Sequence, residues 1–279
     1  MGTGYGYRHS QSEHSAMSFP NQIPAILLMG GQIKDLPKAE PEVPSKGYIP
    51  VGDMPMSART LQALLQSKRV GAITLVTPVS DQQLTGSWAG AFATAHAGAT
   101  LSESLFRGLD SLGTSPDPAL IVAGDLPFLT AEAIDDFIDR CSKRDDCSLW
   151  YGYLSKSNSI AKYPTLHHTW GSINGGKYCG TGLSAMRTSV TNTVREAVSA
   201  LTSRRKSVWK LAKALGFGTL WHLLRGNLTV TQAEEAMTRF LGEKICGIES
   251  PFAETAFNVD EYDSLLLARK LAEAEDSKA

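Results

Sequence analysis

Four short segments carry residue types that together would hold and activate a phosphate chain. Met29-Gly30-Gly31 ends an apolar run, and paired glycines let backbone N–H groups approach a phosphate closely. Lys46, in Lys46-Gly47-Tyr48-Ile49-Pro50-Val51-Gly52, offers a mobile point charge at the far end of a proline-rich loop. Asp125, in Gly124-Asp125-Leu126-Pro127-Phe128, follows a third apolar run, and Asp260, in Phe257-Asn258-Val259-Asp260, stands late in the chain. Two carboxylates at strand tips suit Mg²⁺, which takes a few carboxylates and keeps places for substrate phosphate oxygens. Taken singly, these segments also fit a plain turn, a solvated loop lysine and helix caps; their weight comes from occurring together.

Two further groups are chemically capable. Ser203 to Lys213 holds Arg204, Arg205, Lys206, Lys210 and Lys213 with no acid. It reads either as a binding surface for an anionic acceptor or as a solvated basic helix face, with a membrane-surface helix as a third option. His167-His168 falls in an expected strand, where the two rings would point to opposite faces, so joint metal ligation is not expected.

The elements needed to position these groups are those of an α/β protein. Ile23–Met29, Ala72–Val76 and Ala119–Ala123 are short continuous apolar runs, the mark of strands buried on both faces of a parallel sheet. Between them, helical spacing predicts helices over about 56–69 and 100–109, and Thr130 caps a third running to about 141. Ligands of such sheets bind beyond the carboxyl ends of the strands, where Gly30, Gly31 and Asp125 fall. Further strands are expected at Ser148–Leu154, Leu166–Ser172, Gly182–Arg187, Lys244–Glu249 and Ala256–Val259. The stretch 188–242 is expected to be helical throughout. A last helix over 261–274 would place Leu265, Leu266, Ala268 and Leu271 on its apolar face. Residues 1–21 are read as a disordered tail, 22–187 and 243–279 as the core, and 188–242 as a helical insertion or lid.

Composition narrows the function. A net charge of −1 gives no global attraction for nucleic acid, so an anion site must be local. No apolar run is long enough to span a bilayer, and the N-terminus lacks the apolar stretch of a secretory signal, so a cytoplasmic protein is expected. Cys141, Cys147, Cys179 and Cys246 have no metal or redox spacing and are expected as reduced thiols. Neither GxxxxGK[ST] nor GxGxxG occurs.

The order Leu28-Met29-Gly30-Gly31, then Lys46 to Met56, then Gly124-Asp125-Leu126-Pro127-Phe128-Leu129, then Phe257-Asn258-Val259-Asp260 resembles the MobA-like nucleotidyltransferases. These include molybdenum-cofactor guanylyl- and cytidylyltransferases and methylerythritol-phosphate cytidylyltransferases. The resemblance implies a Rossmann-like, GT-A-type, mostly parallel doubly wound sheet. It implies Mg²⁺-dependent transfer of a nucleotidyl group from an NTP, CTP or GTP in this group, to a small-molecule acceptor, with pyrophosphate released. It also implies that Leu28, Met29, Gly30 and Gly31 line the nucleotide, that Ser102 and Ser104 face its base or ribose, and that Lys46 neutralises phosphate charge. Asp125 and Asp260 would bind the metal. Arg204, Arg205 and Lys206 lie outside the shared core and would serve the acceptor. The family follows its paired glycines with Ser-x-Arg-Met-Gly and a lysine; here Gln32-Ile33-Lys34-Asp35-Leu36-Pro37-Lys38 stands instead. That departure keeps open a second reading, an inactive nucleotide-binding sensor or scaffold, and behind it a GT-A-like glycosyltransferase.

Overall fold

The computed structural model describes residues 19–33, 42–80, 92–113, 117–173, 175–203 and 228–277. Its centre is β1 (Ile23–Leu28), whose first five side chains are buried. Parallel neighbours flank it, β4 (Val70–Thr77) on one side and β6 (Ala119–Ala123) on the other, and β5 (Ala93–His96) continues parallel from β4 to the edge. Beyond β6 the sheet turns mixed. The long β9 (Gly176–Met186) runs antiparallel between β6 and β7 (Leu149–Ser155), and β10 (Ile245–Ser250) closes that edge parallel to β7. The strand order is β10-β7-β9-β6-β1-β4-β5, with β8 (Gly171–Ile173) paired to β9. A separate hairpin joins β2 (Pro50–Val51) to β3 (Met54–Pro55). This is the α/β, mostly parallel, Rossmann-like sheet expected.

Side-chain alternation along β1 divides the core into two layers. Ile23, Ala25 and Leu27 face α1 (Met56–Gln66) and α3 (Ala131–Ser142), packing with Leu61, Leu64, Ile134 and Phe137. Ile26 faces the other way, onto Phe106 and Leu109 of α2 (Leu101–Ser111). Thr100 and Thr130 cap α2 and α3 by accepting from the N–H groups of Glu103 and Ala133, as the sequence indicates.

The expected helical insertion contributes α5 (Thr191–Ser203) and α6 (Val230–Leu241), after the short α4 (Lys156–Lys162). Val194 of α5 and Leu241 of α6 belong to the same buried cluster as Ile26 and Phe106, so these helices are part of the outer layer of the sheet. Arg195 ties α5 to Asp110 of α2 at 2.5 Å, and Glu234 of α6 accepts the Gly247 N–H of β10 at 2.7 Å. The basic segment with Arg204, Arg205 and Lys206 lies outside the described residues.

Several local expectations are corrected. Phe19 is packed edge-on against Trp150, with ring centroids 5.7 Å apart, so the chain is anchored before residue 22. Leu166–Trp170 is loop; the strand begins only at Gly171. Ala253–Ala256 form a short 3-10 helix and Phe257–Val259 a loop, not a strand. In α7 (Tyr262–Asp276), Leu265, Ala268 and Ala272 are fully buried, whereas Leu266 is 46% exposed. Cys147 and Cys246 are paired as a disulfide, leaving Cys141 and Cys179 as free thiols. Among the described residues no helix is long and apolar enough to cross a membrane.

A third cluster lies beyond the strand ends. Phe257 is fully buried against Phe128 and Tyr163, at ring separations of 4.9 and 4.7 Å, in edge-on arrangements that add to the stabilisation from burial. Ile49, Val51, Leu265 and Ala268 complete it. This satellite core fixes the loop before Asp260 to the same end of the sheet as Gly30 and Asp125.

Candidate active site

Register places the first two site segments side by side. Leu28 pairs with Ala123 across β1 and β6, so Gly30 and Asp125 each lie two residues past a matched pair. Gly124 N–H donates to the Leu28 carbonyl at 2.8 Å, and Val259 N–H donates to the Asp125 carbonyl at 3.1 Å. Three separate stretches of chain are thereby stitched at one sheet end. Gly31 has φ +98°, a backbone conformation that favours glycine, and its carbonyl accepts the Lys46 N–H at 2.9 Å.

Lys46 sits in a 3-10 turn, Lys46–Tyr48, held by its neighbours. Ser45 Oγ donates to the Met29 carbonyl and Ser57 Oγ to the Gly47 carbonyl, each at 2.5 Å. A Cβ on Gly47 would lie 2.7 Å from the Met29 carbonyl oxygen, so the turn needs glycine to approach β1 this closely. The Lys46 ammonium then reaches both acids. It pairs with Asp125, and with Asp260 Oδ1 at 2.7 Å. Burial works to lower the Lys46 pKa, but Asp125 and Asp260 outweigh it and hold the pKa above the ordinary lysine value, so the side chain is charged. Asn258 Nδ2 donates to Asp125 Oδ1 at 3.2 Å. Asp125 and Lys46 side chains are each 10% exposed, whereas that of Asp260 is 71% exposed. The three expected catalytic groups therefore meet, two buried and one open to ligand.

A cavity of about 530 Å³ opens over them. Leu28, Gly30, Gly31, Lys46, Ser104, Asp125 and Asp260, all singled out in the sequence, line it. Two expected lining residues do not. The Met29 side chain is fully buried in the core between sheet and helices, because the alternation that exposes Leu28 turns its neighbour inward. Ser102 lies on the outer side of α2, where its hydroxyl meets that of Thr100 at 3.1 Å. Ser104 Oγ accepts the Gly98 N–H at 2.9 Å and so shapes the cavity wall.

A second cavity of about 540 Å³ shares Tyr151, Thr181, Asn258 and Asp260 with the first. His167 and His168 both line it. Because they stand in a loop and not a strand, both residues border one cavity, contrary to the alternation expected. Burial pulls the His168 pKa below the ordinary histidine value; Asp260 opposes that and His167 reinforces it. Ser57, Asn258, Tyr151 and Thr181 are site residues that sequence reasoning missed. Only Asn258 stood inside a motif already singled out.

Paired glycines and an ammonium could receive an anionic group, and the two carboxylates could seat a cation. The Lys46 ammonium already lies between these acids, which shows that they converge on a single positive charge. Carboxylate oxygens with an amide beside them are the hard donors Mg²⁺ favours.

Solved structures share the whole architecture. A hypothetical transferase from Thermus thermophilus superposes with a TM-score of 0.72 at 24% identity, over 88% of this chain and 99% of that one. A 4-diphosphocytidyl-2C-methyl-D-erythritol synthase from Anaerococcus prevotii gives 0.55 at 13%, over 91% and 99%. A CMP:2-keto-3-deoxy-manno-octonic acid synthetase complexed with CTP gives 0.56 at 12%, over 92% and 100%. At these identities the likeness is one of fold. No curated protein matches the chain by sequence. Residues 25–171, more than half of the chain, match the model of the MobA-like NTP transferase domain and include most of β1, Lys46 and Asp125; the chain belongs to that family.

Proposed function

We propose that this protein transfers a nucleotidyl group from an NTP, CTP or GTP, to a small-molecule acceptor and releases pyrophosphate. The observation that carries this reading is the meeting of Lys46, Asp125 and Asp260 over a glycine-walled cavity at the sheet's carboxyl end. Gly30 and Gly31 present backbone to the phosphates, and Leu28 and Ser104 line the space for the nucleoside. The Lys46 ammonium, held charged, stabilises negative charge as it gathers on the phosphates. Asp125 and Asp260 would hold Mg²⁺, which supplies further neutralisation of the phosphate chain when bound. The protein's remaining work is positional: it sets the acceptor oxygen in line with the α-phosphorus, the new P–O bond forms there, and the bond to the bridging oxygen of pyrophosphate breaks. The place for such chemistry is the cytoplasm, where NTPs are held.

The test is a thermal-shift comparison of the four NTPs with and without Mg²⁺, followed by release of pyrophosphate from the one that binds. A ligand that binds only the folded state raises its apparent stability. Mg²⁺-dependent stabilisation by one NTP, with pyrophosphate release on addition of acceptor, is expected. Stabilisation with no turnover under any acceptor would favour the nucleotide-binding scaffold instead.

A further inference from the structure

The cavity beside the nucleotide site has a charge that fixes what enters it. Asp260, Glu261 and Asp263 line it, and no lysine or arginine does among the described residues. Lys46, which reaches Asp260, lines the neighbouring cavity and not this one. The wall also carries hydroxyls, among them Thr165 and Thr181, the imidazoles of His167 and His168, and the apolar side chains of Leu166 and Leu267. Asp260 is paired with Lys46, but a phosphate monoester placed here would still bring about two negative charges beside Glu261 and Asp263, and like charges a few ångströms apart repel by on the order of 1 kcal/mol even at high effective dielectric. Carboxylates, hydroxyls and imidazoles are, by contrast, good partners for neutral hydroxyl groups, which both donate and accept.

We propose that the acceptor is an uncharged polyhydroxy compound attacking through a hydroxyl, and that this second cavity is its site. The inference rests on the nucleotidyl-transfer reading and narrows it. The hydroxyl oxygen bonds to the α-phosphorus, the electron pair of the breaking bond leaves with pyrophosphate, and the hydroxyl proton passes to an imidazole of the His167–His168 pair. A phosphate acceptor arrives already ionised and needs no such base; a hydroxyl does.

The experiment uses the full chain with Mg²⁺ and α-labelled CTP or GTP, and follows label transfer to matched compounds. Glycerol, ribitol, myo-inositol and glucose are each set against their phosphate monoester, and glycerol and glucose also against their amino derivatives. At least one neutral member should react with kcat/KM about tenfold or more above its charged partners. Asp263→Lys should shift that ratio toward the phosphate member by about tenfold, and Asp263→Asn by less. His167→Gln with His168→Gln should lower kcat for the neutral acceptor by about a hundredfold or more while Mg-NTP stabilisation persists. Preference for a phosphate or amino member overturns the proposal, as does failure of all four neutral compounds while Mg-NTP still binds. A phosphate preference abolished by replacing Arg204, Arg205 and Lys206 with alanine would move acceptor recognition to that basic segment. Absence of any Mg-NTP stabilisation sinks the nucleotidyl-transfer reading itself, an outcome separable from the others.

Discussion

The two cavities that share Asp260 are built in opposite ways. The first, proposed to hold the nucleotide, rests on strand tips: β1 and β6 are hydrogen-bonded in register, and Gly30 and Asp125 inherit their separation from that register. The neighbouring side is walled by the loop carrying His167 and His168, the far half of β9 and the start of α7. Strand tips inherit the rigidity of a core, whereas loops vary without disturbing it. On the proposed function, the arrangement separates a rigid device for activating a nucleotide from a looser one for choosing its partner.

Breaking the fixed side should cost most. Asp125→Asn keeps the shape but removes one of two charges facing Lys46. Turnover should fall about a thousandfold or more, and Mg²⁺-dependent stabilisation by NTP should vanish while the circular dichroism spectrum is kept. Retention of that stabilisation would remove Asp125 from the metal site. Phe257→Ala hollows out the aromatic cluster that anchors the Asp260 loop, and should cost about 3 kcal/mol in denaturant unfolding; a cost under about 1 kcal/mol would mean that the aromatic trio is not what holds the loop. Gly47→Ala forces a methyl against the Met29 carbonyl and should cost about 1–3 kcal/mol, with a weakened response to NTP.

The variable side should yield smaller effects. Cys179 lines the second cavity, and burial pushes its thiol pKa up to about 11. At pH 8 it should react with iodoacetamide more slowly than a free cysteine by two orders of magnitude or so, because the thiolate is the nucleophile. Fast labelling would show the cavity more polar than its walls suggest. Denaturing thiol counts under non-reducing conditions should find two free cysteines, Cys141 and Cys179; four would restore the expectation of reduced thiols throughout.

This contrast also decides how much the sequence revealed. Ile23–Leu28 and Ala119–Ala123 announce themselves as unbroken apolar runs because they are buried on both faces. The tips they define made Gly30, Gly31 and Asp125 legible. Ala93–His96 is a half-exposed edge strand of small and polar residues, with no such run to betray it. Val259 looks like strand yet ends a loop, because its burial is met by the satellite core and not by a sheet. Met29 was misplaced by one step of alternation. Ser57 and Thr181 are ordinary polar residues whose importance comes from what lies opposite them, and that is set by contacts between distant stretches of chain.

The Lys46 bridge has a consequence for how the molecule is made and kept. Two carboxylates brought together in a folding chain repel, and small metal-dependent domains meet that cost by waiting for the ion. Here the chain carries an internal counter-ion on the same turn that must lie against β1 in any case. Folding is thereby uncoupled from metal supply: a preparation stripped with chelator should melt at the same temperature as an untreated one in the absence of nucleotide. On the proposed function, a freshly synthesised molecule would be complete in shape before any encounter with magnesium, and the ion would enter with the substrate and not as a structural component.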